Sequence, residues 1–126
     1  MKPVFTVHNK IELLDTLIKK DDVVLDVGFW GQGITLTSRQ WPHRLLKDRA
    51  KEVWGIDIVY DESAIPEAER YRYAHAPAES FSFDTKFDVV FAGDLIEHLV
   101  NPGLFLDNVK KHLKPGGRLI MTTPNT

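Results

Sequence analysis

The sequence predicts an α/β fold: a doubly wound parallel sheet with helices on both faces. Three observations carry that prediction. The run Val23-Val24-Leu25-Asp26-Val27 is apolar on both of its faces, as a strand covered on each side must be. Further apolar runs alternate with segments of helical period along the chain, which calls for parallel strands joined by right-handed crossovers. The first run ends in a glycine-rich turn, with Gly28, Gly31 and Gly33, at the end of the strand where an open parallel sheet receives its ligands.

Each element follows from local pattern. Ile11, Leu14, Leu17 and Ile18 recur at helical spacing, so a helix is expected over about 9–20. Asn9 with Glu12 resembles a capping box, and Lys19 and Lys20 suit a helix C-terminus. The strand at Val23–Val27 opens the core, expected over 22–124. Pro42 cannot sit inside a helix without breaking it, so the next helix is expected to begin near Trp41–Pro42 and to follow a long loop over 29–40. A second strand reads from "VWGIDIV", a short third from "YRYAHA" and a strongly apolar fourth from "KFDVVFAG". Asn101 as cap and Pro102 at the first helical position start a helix with Leu106, Val109 and Leu113 on one face. "KPGG" ends it, and "RLIMTT" is the fifth strand.

Bulk composition narrows the function classes. With 126 residues, 43% hydrophobic and 27% charged, residues 1–126 fit one domain with a single core. Lys plus Arg number 16 against 18 Asp plus Glu, so no basic excess points to nucleic acid. Cysteine is absent, which excludes disulfides and thiolate chemistry. The opening "MKPVFTVHNK" lacks the apolar stretch of a signal peptide, and no apolar run has the length of a membrane span. A cytoplasmic location, no membrane and no nucleic-acid partner are therefore expected. Sequence ending at "TTPNT", just after an apolar fifth strand, reads as an incomplete domain. The exposed edge of that strand would offer an oligomer interface.

The glycine turn gains meaning from an acid downstream. Asp57 ends the second strand, where its two oxygens can accept from both hydroxyls of a ribose. Turn plus acid therefore fits an adenosine cofactor. The dinucleotide fingerprint is G-x-G-x-x-G, whereas the order here is G-x-x-G-x-G, with no P-loop lysine. Taken alone, the glycines equally suit an ordinary tight strand-to-helix turn.

"VVLDVG" with "GQG", "VWGIDI", "APAE", "KFDVVFAGDLIEHL" and "LKPGGRLIMTTPN" stand in the order and spacing of a class I S-adenosylmethionine-dependent methyltransferase. The resemblance covers residues 21 to 125. Within that superfamily the chain resembles the small-molecule branch that includes ubiquinone-biosynthesis-type O-methyltransferases. It implies a Rossmann-like sheet in the order 3-2-1-4-5, without the usual C-terminal antiparallel strands. It also implies methyl transfer from S-adenosylmethionine to a small-molecule acceptor by in-line displacement.

The resemblance further implies roles for individual residues. Asp26 would face the methionine amino group, and Gly28, Gly31 and Gly33 would pack against the methionine moiety. The turn has one residue more than the usual D-x-G-x-G-x-G, at Phe29–Trp30, and Trp30 is expected to fold over the cofactor. Asp57 would bind the ribose diol, with Ile58 flanking the adenine. Ala78 and Glu79 would meet the adenine edge, although Pro77 takes the usual acidic position and offers neither acceptor nor N–H. Ala92, Gly93 and Asp94 would floor the site beneath the sulfonium, and Asp94 and His98 are the candidates for catalytic duty.

Two rival readings remain open on the sequence. Asp94, Glu97 and His98 share one face of a helical turn, and two carboxylates with an imidazole could hold Mg or Mn for a metal-assisted O-methyltransferase. Alternatively, the chain is a non-catalytic or truncated cofactor-binding domain. A nicotinamide oxidoreductase is disfavoured by the glycine order. His8, His43, His75 and His112 have no charged partner at a telling spacing and are expected to be surface or structural. Lys110 and Lys111 read as a solvated helix face, and Trp41 and Trp54 as packing residues.

Overall fold

The computed structural model describes residues 5–7, 10–30, 42–93, 95 and 98–122. Its elements in chain order are β1 (Phe5–Val7), α1 (Lys10–Leu17), β2 (Val23–Val27), α2 (Pro42–Arg49), β3 (Glu52–Asp57), two 3-10 turns (Glu62–Ala64 and Glu67–Arg72), β4 (Tyr73–His75), β5 (Phe87–Gly93), α3 (Pro102–His112) and β6 (Leu113–Thr122). They form one six-stranded sheet in the order β1-β6-β5-β2-β3-β4, parallel at every pairing. Taken from β4 to β6, five of these strands give the expected order 3-2-1-4-5.

Strand alternation explains the layers. In β5, Val89 and Phe91 face one side with Leu14, Ile18, Val24, Leu46 and Ile120. Val90 and Ala92 face the other with Leu25, Ile56, Phe105, Val109 and Leu119. A strand that must fill both layers has no polar face, so these runs read as continuously apolar.

Two sequence expectations need adjustment. The fifth strand does not present an open edge along its last residues, because β1 pairs with it in register, Phe5 with Ile120 and Val7 with Thr122. Three residues with strand propensity, Phe-Thr-Val, complete a ladder that β6 already offers. Helix α1 ends at Leu17 rather than near residue 20. Asp22 closes a tight turn there, its carboxylate accepting from the Lys19 amide at 2.9 Å and its own amide donating to the Lys19 carbonyl at 3.0 Å. The proposed cap at Asn9 lies outside the described residues.

Other local readings hold. Helix α2 starts at Pro42, and Asn101 caps α3 by accepting from the Leu104 amide at 3.1 Å, with Pro102 opening the helix. Trp54 is a buried packing residue, set edge-on to Phe83 and Phe87. No helix among the described residues is long and apolar enough to cross a membrane.

Candidate functional site

The chain runs from β2 to β3 to β4 on one side and then returns to place β5 on the other side of β2. That reversal opens a crevice beyond the carboxyl ends of the strands. A concavity of about 130 Å³ lies there, lined by Val27 and Gly28 after β2, Ile56 to Ile58 at the end of β3, Ala76, Ala78 and Glu79 after β4, and Leu95, His98 and Leu99 after β5. Small-molecule pockets typically hold roughly 300–1,000 Å³, so these walls enclose one end of a ligand rather than all of it.

A larger hollow, about 610 Å³, lies at the opposite end of the sheet between Lys86, Lys110, Lys114 and residues 115–117 of β6. Two of its lysines are engaged: Lys86 donates to the Lys111 carbonyl at the C-terminus of α3, and Lys114 pairs with Asp88 at 3.2 Å. Lysines in the last turn of a helix offset its dipole. The smaller concavity is the functional candidate, because it sits where the strand order reverses.

Gly28 leaves the sheet with φ of 77°, a conformation that costs an L side chain roughly 1–2 kcal/mol. Its amide still donates to the Ile56 carbonyl at 2.8 Å, so the turn starts from a fixed point. The inserted aromatics then separate. Phe29 is buried, its ring centroid 4.8 Å from His43 and 5.1 Å from both Tyr60 and Tyr73. Trp30 is half-buried and packs back on Phe29 and Tyr60, at 6.2 and 6.5 Å, rather than lining the concavity.

Asp57 stands at the rim. Its Oδ2 accepts from the Trp30 amide at 3.0 Å, which ties the turn after β2 to the acid at the end of β3. Ile58 beside it is 69% exposed, an apolar surface open to a flat ring. Glu79 also lines the concavity, but its Oε2 accepts from the amides of Val100 and Asn101 at 3.0 and 3.3 Å. Its carboxylate thus holds the segment leading into α3. Ala78 is buried in the same wall, and Gly93 is buried at the end of β5. Gly31, Gly33, Asp94 and Glu97 lie outside the described residues. His98 is exposed at the rim, and no cluster of metal-ligating side chains occurs among the described residues.

Asp26 sits elsewhere than the concavity. By strand alternation it shares a face with Val24, under α2, and it is 1% exposed. Its Oδ2 accepts from His43 Nδ1 at 2.8 Å, and His43 Nε2 lies 2.6 Å from the Tyr73 hydroxyl. His43 therefore has a buried carboxylate partner. Nothing at a spacing of 17 or 30 residues could have shown it. The register accounts for it: Asp26, Gly55 and Tyr73 lie side by side on β2, β3 and β4. The histidine bridges the outer two above the glycine. Burial, with Glu69 and Asp26 nearby, pushes the Tyr73 phenol well above its ordinary range, so it stays neutral and can donate.

Comparison with known proteins agrees with this geometry. The profile of a methyltransferase domain matches residues 25–121. The ubiquinone biosynthesis O-methyltransferase of Psychrobacter cryohalolentis is 33% identical over 112 residues, 81% of this chain and 40% of that protein. The tRNA U34 carboxymethyltransferase of Idiomarina loihiensis is 32% identical over 110 residues, 79% of this chain and 32% of that protein. The chain thus spans well under half the length of these curated relatives. Among solved structures, the glycopeptide N-methyltransferase MtfA complexed with S-adenosyl-L-methionine superposes with a TM-score of 0.64 at 17% identity, covering 91% of this chain and 54% of that one. That likeness concerns the fold. The chain belongs to the methyltransferase domain family, built on the class I doubly wound sheet.

Proposed function

We propose that the domain binds S-adenosylmethionine in the crevice beyond β2 and β3 and serves methyl transfer to a small-molecule acceptor. The observation that carries the reading is the joining of the Gly28 turn to Asp57, by way of the Trp30 amide, at the point where the strand order reverses. The residues fit the cofactor's chemistry. A carboxylate at Asp57 suits a ribose diol, and the open face of Ile58 suits a purine. The alanine-lined wall at Ala76 and Ala78 admits a flat ring edge. The Asp26 carboxylate, under α2, would offer negative charge toward the end that carries the ammonium, and Gly28 would let the backbone approach that end.

When bound, the cofactor supplies an electrophilic methyl on a sulfonium. The chain's part is alignment, since in-line displacement gains most from holding nucleophile and methyl in register. Gly93 and Asp94, at and just beyond the end of β5, would form the floor of the reaction space. His98 at the rim would take a proton from an acceptor hydroxyl. The small-molecule acceptor is supported by the similarity to ubiquinone biosynthesis O-methyltransferases, and a cytoplasmic location belongs to the same reading.

Asp57→Ala tests the assignment. Hydrogen bonds to a charged group contribute about 1.5–3 kcal/mol, so the variant should bind S-adenosylhomocysteine at least about tenfold more weakly in calorimetry. Unchanged affinity would remove Asp57 from the site.

A further inference from the structure

His43, at the start of α2, joins the end of β2 to β4. Its Nδ1 lies 2.8 Å from Asp26 Oδ2, its Nε2 lies 2.6 Å from the Tyr73 hydroxyl, and its ring packs on Phe29 at 4.8 Å. Histidine and aspartate are 2% and 1% exposed, so water does not compete for these bonds. A carboxylate only accepts, so Nδ1 must carry the proton. In that tautomer Nε2 is the acceptor, and the phenol of Tyr73 donates to it. The Tyr73 hydroxyl thereby selects the tautomer that can serve Asp26. The His43 donor offsets part of the cost of burying a carboxylate two residues before Gly28.

We infer that His43, with Tyr73 behind it, is a positioning residue for the Asp26 carboxylate and so for the amino-acid end of the bound cofactor. The inference rests on the cofactor reading above. His43 touches no ligand in this account. It fixes the Asp26 carboxylate, two residues before Gly28, and its ring packs beside Phe29. The adenosine end is assigned to different groups, Asp57, Ile58 and Ala78.

The difference gives a test that a merely structural histidine would not pass. Binding of S-adenosylhomocysteine and of adenosine is measured by calorimetry for the wild type, His43→Leu, His43→Asn and Tyr73→Phe, each checked as folded by circular dichroism. His43→Leu removes the donor and should weaken S-adenosylhomocysteine by about tenfold or more while adenosine changes less than about threefold. In His43→Asn the amide nitrogen stands where Nδ1 stood, so it should restore the wild-type ratio of the two affinities. Tyr73→Phe keeps the ring and removes only the hydroxyl. It should weaken S-adenosylhomocysteine by about threefold or more with adenosine unchanged, which carries the test even if His43→Leu does not fold. Equal losses for both ligands, or no loss for S-adenosylhomocysteine in Tyr73→Phe, overturn the positioning role. A wild-type protein that binds neither ligand overturns the cofactor reading instead.

Discussion

Phe29→Ala is expected to destabilise the domain by about 3–5 kcal/mol, the range for removing a buried phenylalanine ring. The ring is 1% exposed and forms the centre of a small cluster with Ile65 and Tyr73, against which Trp30 and Tyr60 pack. Among the described residues, four aromatic neighbours, His43, Trp30, Tyr60 and Tyr73, have ring centroids within 6.2 Å of it. Their positions are fixed by separate elements, so the cavity would close only in part. Thermal unfolding should shift down by about 10 °C or more. A shift of only a degree or two would mean that the inserted residue is not the plug described here.

Gly55→Ala should destabilise by about 1–3 kcal/mol through overpacking. A methyl group at this position would come within 2.8 Å of Phe29 Cδ1 and within 2.8 and 2.9 Å of two Tyr73 ring atoms. Both rings are buried, so neither can swing away freely. Adding Gly55→Ala to Phe29→Ala should cost less than Gly55→Ala alone, because one of the two clashes is gone. Residues in contact couple in this way, and a double-mutant cycle by denaturant unfolding reads the coupling directly. Strict additivity would show that Gly55 and Phe29 do not share the packing seen in the structure.

These two residues also mark how far the sequence can be read. The extra length of the turn at Phe29–Trp30 is visible in the spacing of glycines, and a glycine inside a strand such as Gly55 signals close approach of another group. What approaches it is not visible. Phe29, His43 and Tyr73 converge only because β2, β3 and β4 lie side by side in one register, a fact of topology. The strands at Val23–Val27, Glu52–Asp57 and Phe87–Gly93 were legible because apolar runs buried on both faces have a signature of their own. The strand at Phe5–Val7 was not, since three residues carry little local signal and form a strand by adding to an edge. The end of α1 was misjudged for a related reason: the lysines suited a helix terminus, but Asp22 captures the Lys19 amide first.

Within the site, the sequence located the Gly28 turn and Asp57, and the structure ties them together through the Trp30 amide. It did not foresee that Glu79 spends its carboxylate on the Val100 and Asn101 amides, nor that Asp26 lies under α2 with His43. Side-chain direction at a strand end depends on which face the neighbouring helix covers, and pattern alone leaves that open.

The central claim is that the crevice beyond β2 and β3 is a site for an S-adenosyl cofactor and not for a dinucleotide. Equilibrium binding of S-adenosylhomocysteine and of NAD to the wild-type chain, measured side by side by calorimetry, tests it most directly. The account predicts saturable one-to-one binding of S-adenosylhomocysteine and no heat of binding with NAD. Binding of NAD, or a flat titration with S-adenosylhomocysteine, would contradict it.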